Sequence, residues 1–119
     1  MKPFIRRPGE GEASWFLTNH MTLKATSDET GGVLGLVESQ VAPGSSPPLH
    51  VHRQEDESFY VLEGELTFIH DDDEVVAGPG TFVLVPPGVP HTFANRGDAV
   101  VRMLNVHAPG GFDLRLEGG

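Results

Sequence analysis

Two histidines one residue apart precede a cluster of carboxylates in the segment PPLHVHRQEDESFY, which covers residues 47–60. If this segment is extended, His50 and His52 project from one face, because residues two apart on a strand point the same way. Glu57 lies an odd number of residues further on, so the polar residues 53–56 must turn the chain to bring it back to that face. Imidazole and carboxylate groups that meet at one point are suited to binding a divalent metal ion.

Glu57 also opens a strand of alternating character. Glu57, Phe59 and Val61 share one face, which we interpret as the interior of a barrel, and the residues between them face away. A charged carboxylate in an apolar interior needs a partner, and beside two neutral imidazoles a divalent metal ion meets that need.

A third imidazole follows the turn in the segment PPGVPH. His91 begins a short strand there, in which His91, Phe93 and Asn95 share a face. Three histidines and one glutamate would cap one side of an ion and leave one or two positions open for water, dioxygen or substrate.

Short β-rich runs separated by glycine, proline and aspartate make up most of the chain, and no long stretch has a helical period. We predict strands at residues 14–24, 33–41, 57–62, 66–70, 81–85, 91–95 and 100–107. This pattern is typical of an all-β sandwich or barrel. No linker longer than a loop interrupts it, so we predict one domain over residues 1–119.

The predicted strand at residues 81–85 is apolar at consecutive positions, TFVLV. Both of its faces should therefore be buried, the outer one against a second sheet or a second copy of the chain. From this pattern we expect a homodimer.

Composition restricts the class of partner. The formal charge of −9 and the small number of basic residues disfavour nucleic acid and anionic membranes, which leaves a small molecule as the expected partner. Without cysteine, a hydrophobic core must stabilise the 119 residues. No segment approaches the roughly 20 apolar residues of a membrane span. Residues 1–10 also lack the apolar stretch of a signal peptide, so we expect a cytoplasmic protein.

Two spaced motifs indicate a family. Residues 44–64 read G-x5-H-x-H-x4-E-x6-G, and residues 80–95 read G-x5-P-x-G-x2-H-x3-N. The chain resembles the cupin superfamily in both motifs, and it is similar to small single-domain cupins of the quercetin dioxygenase-like group. This resemblance runs from about residue 30 to residue 112. It implies a jelly-roll β-barrel, also called a double-stranded β-helix.

The resemblance also implies roles for the motif residues. It assigns the metal ligands as His50, His52, Glu57 and His91, the tight turns at strand ends as Gly44, Gly64, Gly80 and Gly88, and a structural role to Asn95. We expect one divalent transition metal ion per chain, and imidazole and carboxylate ligands suit Fe, Mn, Ni, Co, Cu or Zn. A closed structural zinc site more often uses thiolates, so a chain without cysteine favours an open, catalytic type of site.

Three classes of function are compatible with such a site. The leading one is an oxygenase or dioxygenase for a small aromatic or apolar substrate, with Glu57 as both ligand and proton acceptor. Phe59, Phe93 and Met103 share the face of the ligands, and we predict that they line the substrate pocket. The second class is an isomerase or lyase of a small carbonyl compound, which the lack of an inward-facing basic residue disfavours. The third is a small-ligand binder without catalytic activity.

The other histidines and two carboxylates inside the first motif are predicted to lie at the surface. These residues are Glu55, Asp56, His20, His70 and His107. His107 shares a face with Met103 and Asn105, which could look into the barrel, but a capping or surface role is favoured.

Overall fold

The computed structural model describes residues 3–16 and 19–109. Within those ranges the elements are β1 (Glu12–Phe16), β2 (Asn19–Ala25), α1 (Ser27–Thr30), β3 (Gly35–Val41), β4 (Asp56–Glu63), β5 (Leu66–His70), β6 (Asp73–Ala77), β7 (Phe82–Val85), β8 (His91–Ala94) and β9 (Val101–Ala108). The chain is therefore almost entirely β-structure, as predicted.

The strands form two antiparallel sheets. One has six strands in the order β1-β2-β3-β9-β4-β7, and the other has three in the order β6-β5-β8. Both sheets contribute to one hydrophobic core, which consists of Val41, Phe59, Val61, Leu66, Phe68, Ala77, Val85, Phe93, Val101 and Met103. This architecture confirms the predicted all-β barrel.

The strand β9 pairs with β3 on one side and β4 on the other, within the larger sheet. Its residues alternate between buried and half-buried from one end to the other. Alternate side chains of β9 therefore point into the barrel beside the inward face of β4.

The first predicted strand, at residues 14–24, is wrong in one respect. It consists of two strands that pair antiparallel, with Glu12 opposite Leu23 and Phe16 opposite Asn19. The predicted run crosses residues 17–18, which lie outside the described residues.

Two further elements were not predicted. The strand β6 lies at the edge of the smaller sheet, and four of its five residues are exposed. Polar residues occur on both of its faces, so apolar and polar residues do not alternate along it and the sequence pattern does not indicate a strand. The helix α1 is a single turn with a capping box between Thr26 and Glu29. Across the described part of the chain, no helix has the length and apolar character that a bilayer span requires.

The outer face of β7 differs from the prediction that both faces of this strand are buried. In the single chain Phe82 is 61% exposed and Leu84 is 55% exposed. The strand ends the six-stranded sheet, and only its inward side contributes to the core, through Val85. An apolar surface is therefore open at this edge.

The motif glycines occupy backbone conformations that other residues adopt at a cost. Gly44 and Gly64 have φ of +80° and +85°, in the left-handed region. A Cβ added at Gly44 would meet nothing within 4 Å, whereas one at Gly64 would lie 2.9 Å from Cγ2 of Val101. Gly64 therefore combines a required conformation with a close approach to β9.

We expect Gly64→Ala to destabilise the protein more than Gly44→Ala does. Left-handed φ alone should lower the free energy of unfolding by about 1–2 kcal/mol at Gly44. The added contact with Val101 should bring the loss at Gly64 to about 2–4 kcal/mol. Denaturant unfolding of the two variants and the wild type measures the difference, and equal losses would show that the contact relaxes without cost.

Candidate metal centre

Glu57 lies on the inward face of β4. It stands opposite Val85 of β7 and opposite His107 of β9 in the two neighbouring ladders. The alternation predicted for this strand is confirmed, since Glu57, Phe59 and Val61 are at most 2% exposed. The fold thus holds a carboxylate in the barrel interior, where it needs compensating groups.

Backbone hydrogen bonds attach the loop of the first motif to the start of β8. The His50 N–H donates to the His91 carbonyl over 3.0 Å, and the His91 N–H donates to the His50 carbonyl over 2.9 Å. The Gly88 N–H also donates to the His52 carbonyl, over 2.7 Å. Around His50 the chain forms only this isolated bridge and no regular strand. The bridge nevertheless brings the histidines of the two motifs together.

The three imidazoles converge on one oxygen of Glu57. From Glu57 Oε1 the distances are 3.0 Å to His52 Nε2 and 3.4 Å to His50 Nε2. His91 Nε2 is also in contact with this oxygen. One ligand atom from each of the four residues lies within 4.8 Å of all the others. The structure thus brings together the four residues that the sequence predicts as ligands.

The other ring nitrogen of each histidine faces an acceptor. His50 Nδ1 lies 3.2 Å from the Pro48 carbonyl oxygen, and His91 Nδ1 lies 2.9 Å from the Val89 carbonyl oxygen. His52 Nδ1 lies 3.2 Å from Oε1 of Glu55. With an ion bound, these acceptors would hold the proton on Nδ1 and leave the lone pair of Nε2 to the metal, in place of the contacts that Nε2 makes with Glu57 here.

The second oxygen of Glu57 is engaged from β9. His107 Nε2 donates to Oε2 over 2.9 Å, and Asn105 Nδ2 donates to it over 3.0 Å. The predicted surface role of His107 is therefore wrong, since this side chain is 1% exposed. Its shared face with Met103 and Asn105 was the signal in the sequence, but a single strand does not show which face looks inward.

Glu55 is also buried, contrary to the prediction that it is solvated. It is 7% exposed, while its neighbour Asp56 is exposed as predicted. Burial of Glu55 accompanies its contact with His52, three residues earlier in the same turn, a local pairing that the prediction of a solvated turn did not include. His70 is half-exposed as predicted, whereas His20 is half-buried and its ring lies 5.0 Å from that of Trp15.

The electrostatics of the cluster favour an ionised Glu57. Burial raises the pKa of Glu57, but hydrogen bonds from His107, His50, His52 and His91 outweigh it and hold the pKa far below its ordinary range. The hydrogen bond with Glu57 in turn raises the pKa of His50. The site therefore presents a negative charge to whatever lies between the histidines.

The donor set fits a metal ion. Three Nε2 lone pairs and a carboxylate oxygen are the ligands that divalent first-row transition metals accept. Two of the three histidines are buried, while the side chain of His50 remains 30% exposed. The cluster is thus suited to a metal ion and reachable from solvent on the side of His50.

The three residues predicted to bind substrate belong to the hydrophobic core. Phe59, Phe93 and Met103 are 1%, 6% and 1% exposed. The ring centroid of Phe59 lies 6.2 Å from that of His91 and 6.0 Å from that of Phe93. These side chains thus form an apolar layer in the core, which reaches the cluster through Phe59, and their contact with a substrate stays a prediction.

A cavity of about 310 Å³ opens beside the cluster. Most of the described residues in its walls are apolar, and the polar ones are His91, His70 and Asp71. The three predicted substrate residues are not among the described residues that line it. His91, one of the four candidate metal ligands, is therefore in contact with a mostly apolar cavity.

The family follows from a match that covers more than half of the chain. The sequence profile of the cupin domain matches residues 37–107, which contain both motifs and all four residues of the cluster. The chain belongs to the cupin family. The motifs predict tight turns at four glycines, and all four have positive φ: Gly44, Gly64, Gly80 and Gly88. Asn95 is structural, and its side chain donates to the carbonyls of Val41 and Ala99.

One curated relative of this cupin is quercetin 2,3-dioxygenase of Bacillus subtilis. The two sequences are 32% identical over 91 residues, which cover 76% of this chain. The aligned region is only 27% of the relative, so this cupin spans about a quarter of that protein's length.

Solved structures share the fold. A predicted oxalate decarboxylase from Thermotoga maritima superposes with a TM-score of 0.83 at 22% identity, covering 89% of this cupin and 99% of that chain. A sugar phosphate isomerase of the cupin superfamily from Silicibacter pomeroyi gives a TM-score of 0.63 at 28% identity, covering 74% of this cupin and 59% of that chain. The described barrel is thus a cupin jelly roll, and its structural relatives differ in the reactions their names describe.

Proposed function

We propose that this cupin is a metal-dependent oxygenase or dioxygenase that acts on a small aromatic or apolar organic substrate. The observation that carries the proposal is the apolar cavity of about 310 Å³ that has His91 in its wall. Imidazole and carboxylate ligands suit Fe, Mn, Ni, Co, Cu and Zn, and we propose one such ion per chain. The similarity to quercetin 2,3-dioxygenase supports an aromatic substrate.

Each ligand has a separate role in this proposal. His50, His52 and His91 bind the ion through Nε2, and Glu57 binds it through Oε1. A bound Fe, Mn, Ni, Co or Cu ion would supply redox chemistry with dioxygen and polarise a substrate oxygen, whereas Zn would only polarise it. Glu57 Oε1 also accepts the proton of a substrate hydroxyl; since its hydrogen bonds hold the pKa of Glu57 far below its ordinary range, this role requires a hydroxyl whose own pKa would be lowered by the bound ion.

The apolar layer excludes water and orients the substrate. Phe59, Phe93 and Met103 carry no charge and make no hydrogen bond that could hold a phosphate or carboxylate group. We propose that an aromatic ring packs against this layer when a substrate oxygen reaches the metal.

An isomerase or lyase of a small carbonyl compound is the second candidate, favoured by the similarity to the sugar phosphate isomerase. Among the described residues that line the cavity, none is arginine or lysine. Such a cavity lacks the groups that usually pair with a phosphate or carboxylate. For this reason we place the oxygenase first and a non-catalytic ligand binder third.

Oxygen consumption distinguishes these functions. Apo-protein is loaded separately with Fe²⁺, Mn²⁺, Ni²⁺, Co²⁺, Cu²⁺ or Zn²⁺ and mixed with quercetin and simpler phenols in an oxygen-electrode cell. The proposal expects uptake that requires both metal and substrate, with label from ¹⁸O₂ in the product. Conversion of a sugar or keto acid without oxygen uptake would support the isomerase or lyase instead. Saturable binding without turnover would support the binder.

We also propose that this cupin is a homodimer that covers the apolar outer face of β7. Phe82 and Leu84 lie in register with Tyr60 and Ser58 of β4, and Tyr60 is itself 42% exposed. A contiguous apolar surface at a sheet edge is a typical site of self-association.

Light scattering at micromolar concentration is expected to give twice the 12.8 kDa mass of the chain. Leu84→Lys should lower the mass to that of one chain, because a charge at the interface centre opposes burial. Glu65→Lys is the control, at an exposed residue outside this face. A wild type that is monomeric under these conditions contradicts the dimer.

A further inference from the structure

Two neighbouring positions of β9 present hydrogen-bond donors to the same oxygen of Glu57. His107 lies directly opposite Glu57 in the ladder between β9 and β4, and Asn105 lies opposite Phe59. Both side chains point into the barrel and are 1% and 7% exposed. Their donor atoms, His107 Nε2 and Asn105 Nδ2, lie 2.9 Å and 3.0 Å from Glu57 Oε2.

One oxygen of a carboxylate can accept about two hydrogen bonds. An ionised carboxylate has about four lone-pair sites, two on each oxygen. His107 and Asn105 both donate to Oε2, while the Nε2 atoms of the other three histidines surround Oε1. The two oxygens of Glu57 therefore face different groups, with the metal-binding candidates on one side only.

We propose that His107 and Asn105 are positioning residues that make Glu57 a one-oxygen ligand of the metal. They bind Oε2 and so prevent it from turning toward the ion, which leaves only Oε1 to coordinate. The inference rests on the proposed metal site and adds a reason why that site stays open. A carboxylate that binds through both oxygens would occupy the position that water, dioxygen or substrate needs.

The placement of the two donors on a strand supports this role. β9 is hydrogen-bonded on both sides, to β3 and β4, so its side chains hold their positions more firmly than loop residues do. Groups that bind a ligand residue from behind commonly fix its orientation and tune metal binding.

Removing the donors should change the number of water molecules on a bound ion. The probe is Mn²⁺, with binding followed by the electron paramagnetic resonance of the free ion and bound water counted by water-proton relaxation. In His107→Leu, and more strongly in the double variant with Asn105→Leu, Oε2 is free to bind. We expect the relaxation effect per bound Mn²⁺ to fall by the contribution of about one water, because the second carboxylate oxygen takes its place.

A conservative variant separates positioning from general damage. His107→Gln keeps an N–H donor near the place of Nε2 and should restore the wild-type relaxation. His20→Leu is the matched control, since it makes the same substitution at a half-buried histidine on β2 and should change nothing. Circular dichroism checks that each variant is folded.

The outcomes distinguish this inference from the metal site on which it rests. A wild type that takes up no Mn²⁺ or other divalent ion overturns the metal site, and the inference with it. Mn²⁺ binding with the same bound-water count in wild type, His107→Leu and the double variant leaves the site intact and overturns the positioning role. A loss in His107→Leu that His107→Gln does not restore also overturns it.

Discussion

Replacement of His91 by alanine is expected to abolish tight metal binding. After reconstitution and dialysis the wild type should retain about one divalent ion per chain, because the four ligand atoms form a single cluster in the described residues. His91→Ala removes a buried ligand and should raise the dissociation constant by at least about 100-fold, since even residues behind the ligands contribute 10–100-fold. Elemental analysis of dialysed protein and calorimetric titration measure the two quantities.

Matched variants show whether this loss is specific. His50→Ala should also lower occupancy sharply, because its Nε2 belongs to the same cluster. His70→Ala should leave occupancy unchanged, since that side chain is 42% exposed on β5. A wild type without metal after reconstitution, or a His91→Ala variant that binds as the wild type does, would refute the assigned site.

Glu57→Gln is expected to lower turnover by roughly 10²–10⁴-fold at equal metal occupancy, the range typical of losing a general base. The amide keeps the shape of the side chain but removes its charge. Its NH₂ group also fits neither side of the site. At the position of Oε2 it would face the donors of His107 and Asn105, and at the position of Oε1 it would point a donor at the metal.

The comparison requires variants reloaded to the same metal content before rates are measured. Glu63→Gln is the matched control, because it makes the same change on β4 at an exposed side chain that pairs with Arg102. It should retain wild-type turnover. A fully metallated Glu57→Gln variant with unchanged turnover on the true substrate would eliminate the general-base role and leave Glu57 as a ligand only.

The local pattern of apolar, polar and glycine residues was sufficient to predict the strands and turns that pack against the core. Alternation placed Glu57, Phe59 and Val61 on one buried face, and the glycines of both motifs marked turns that the structure forms. It was insufficient for β6, which is exposed along most of its length, and for the first predicted strand, which consists of two antiparallel strands.

The sequence by itself determined the four candidate ligands, because two fixed spacings place His50, His52, Glu57 and His91 in recognisable motifs. Only the tertiary structure showed which other residues contact these four candidate ligands. Glu55 reaches His52 through a turn, and His107 reaches Glu57 from a strand 50 residues away. The contact of His107 depends on the pairing of β9 with β4 within the larger sheet, and the contact of Glu55, three residues from His52, depends on the shape of a turn that the sequence did not specify. These two contacts bury a carboxylate and a histidine that were predicted at the surface, and they place them where they orient the candidate metal ligands.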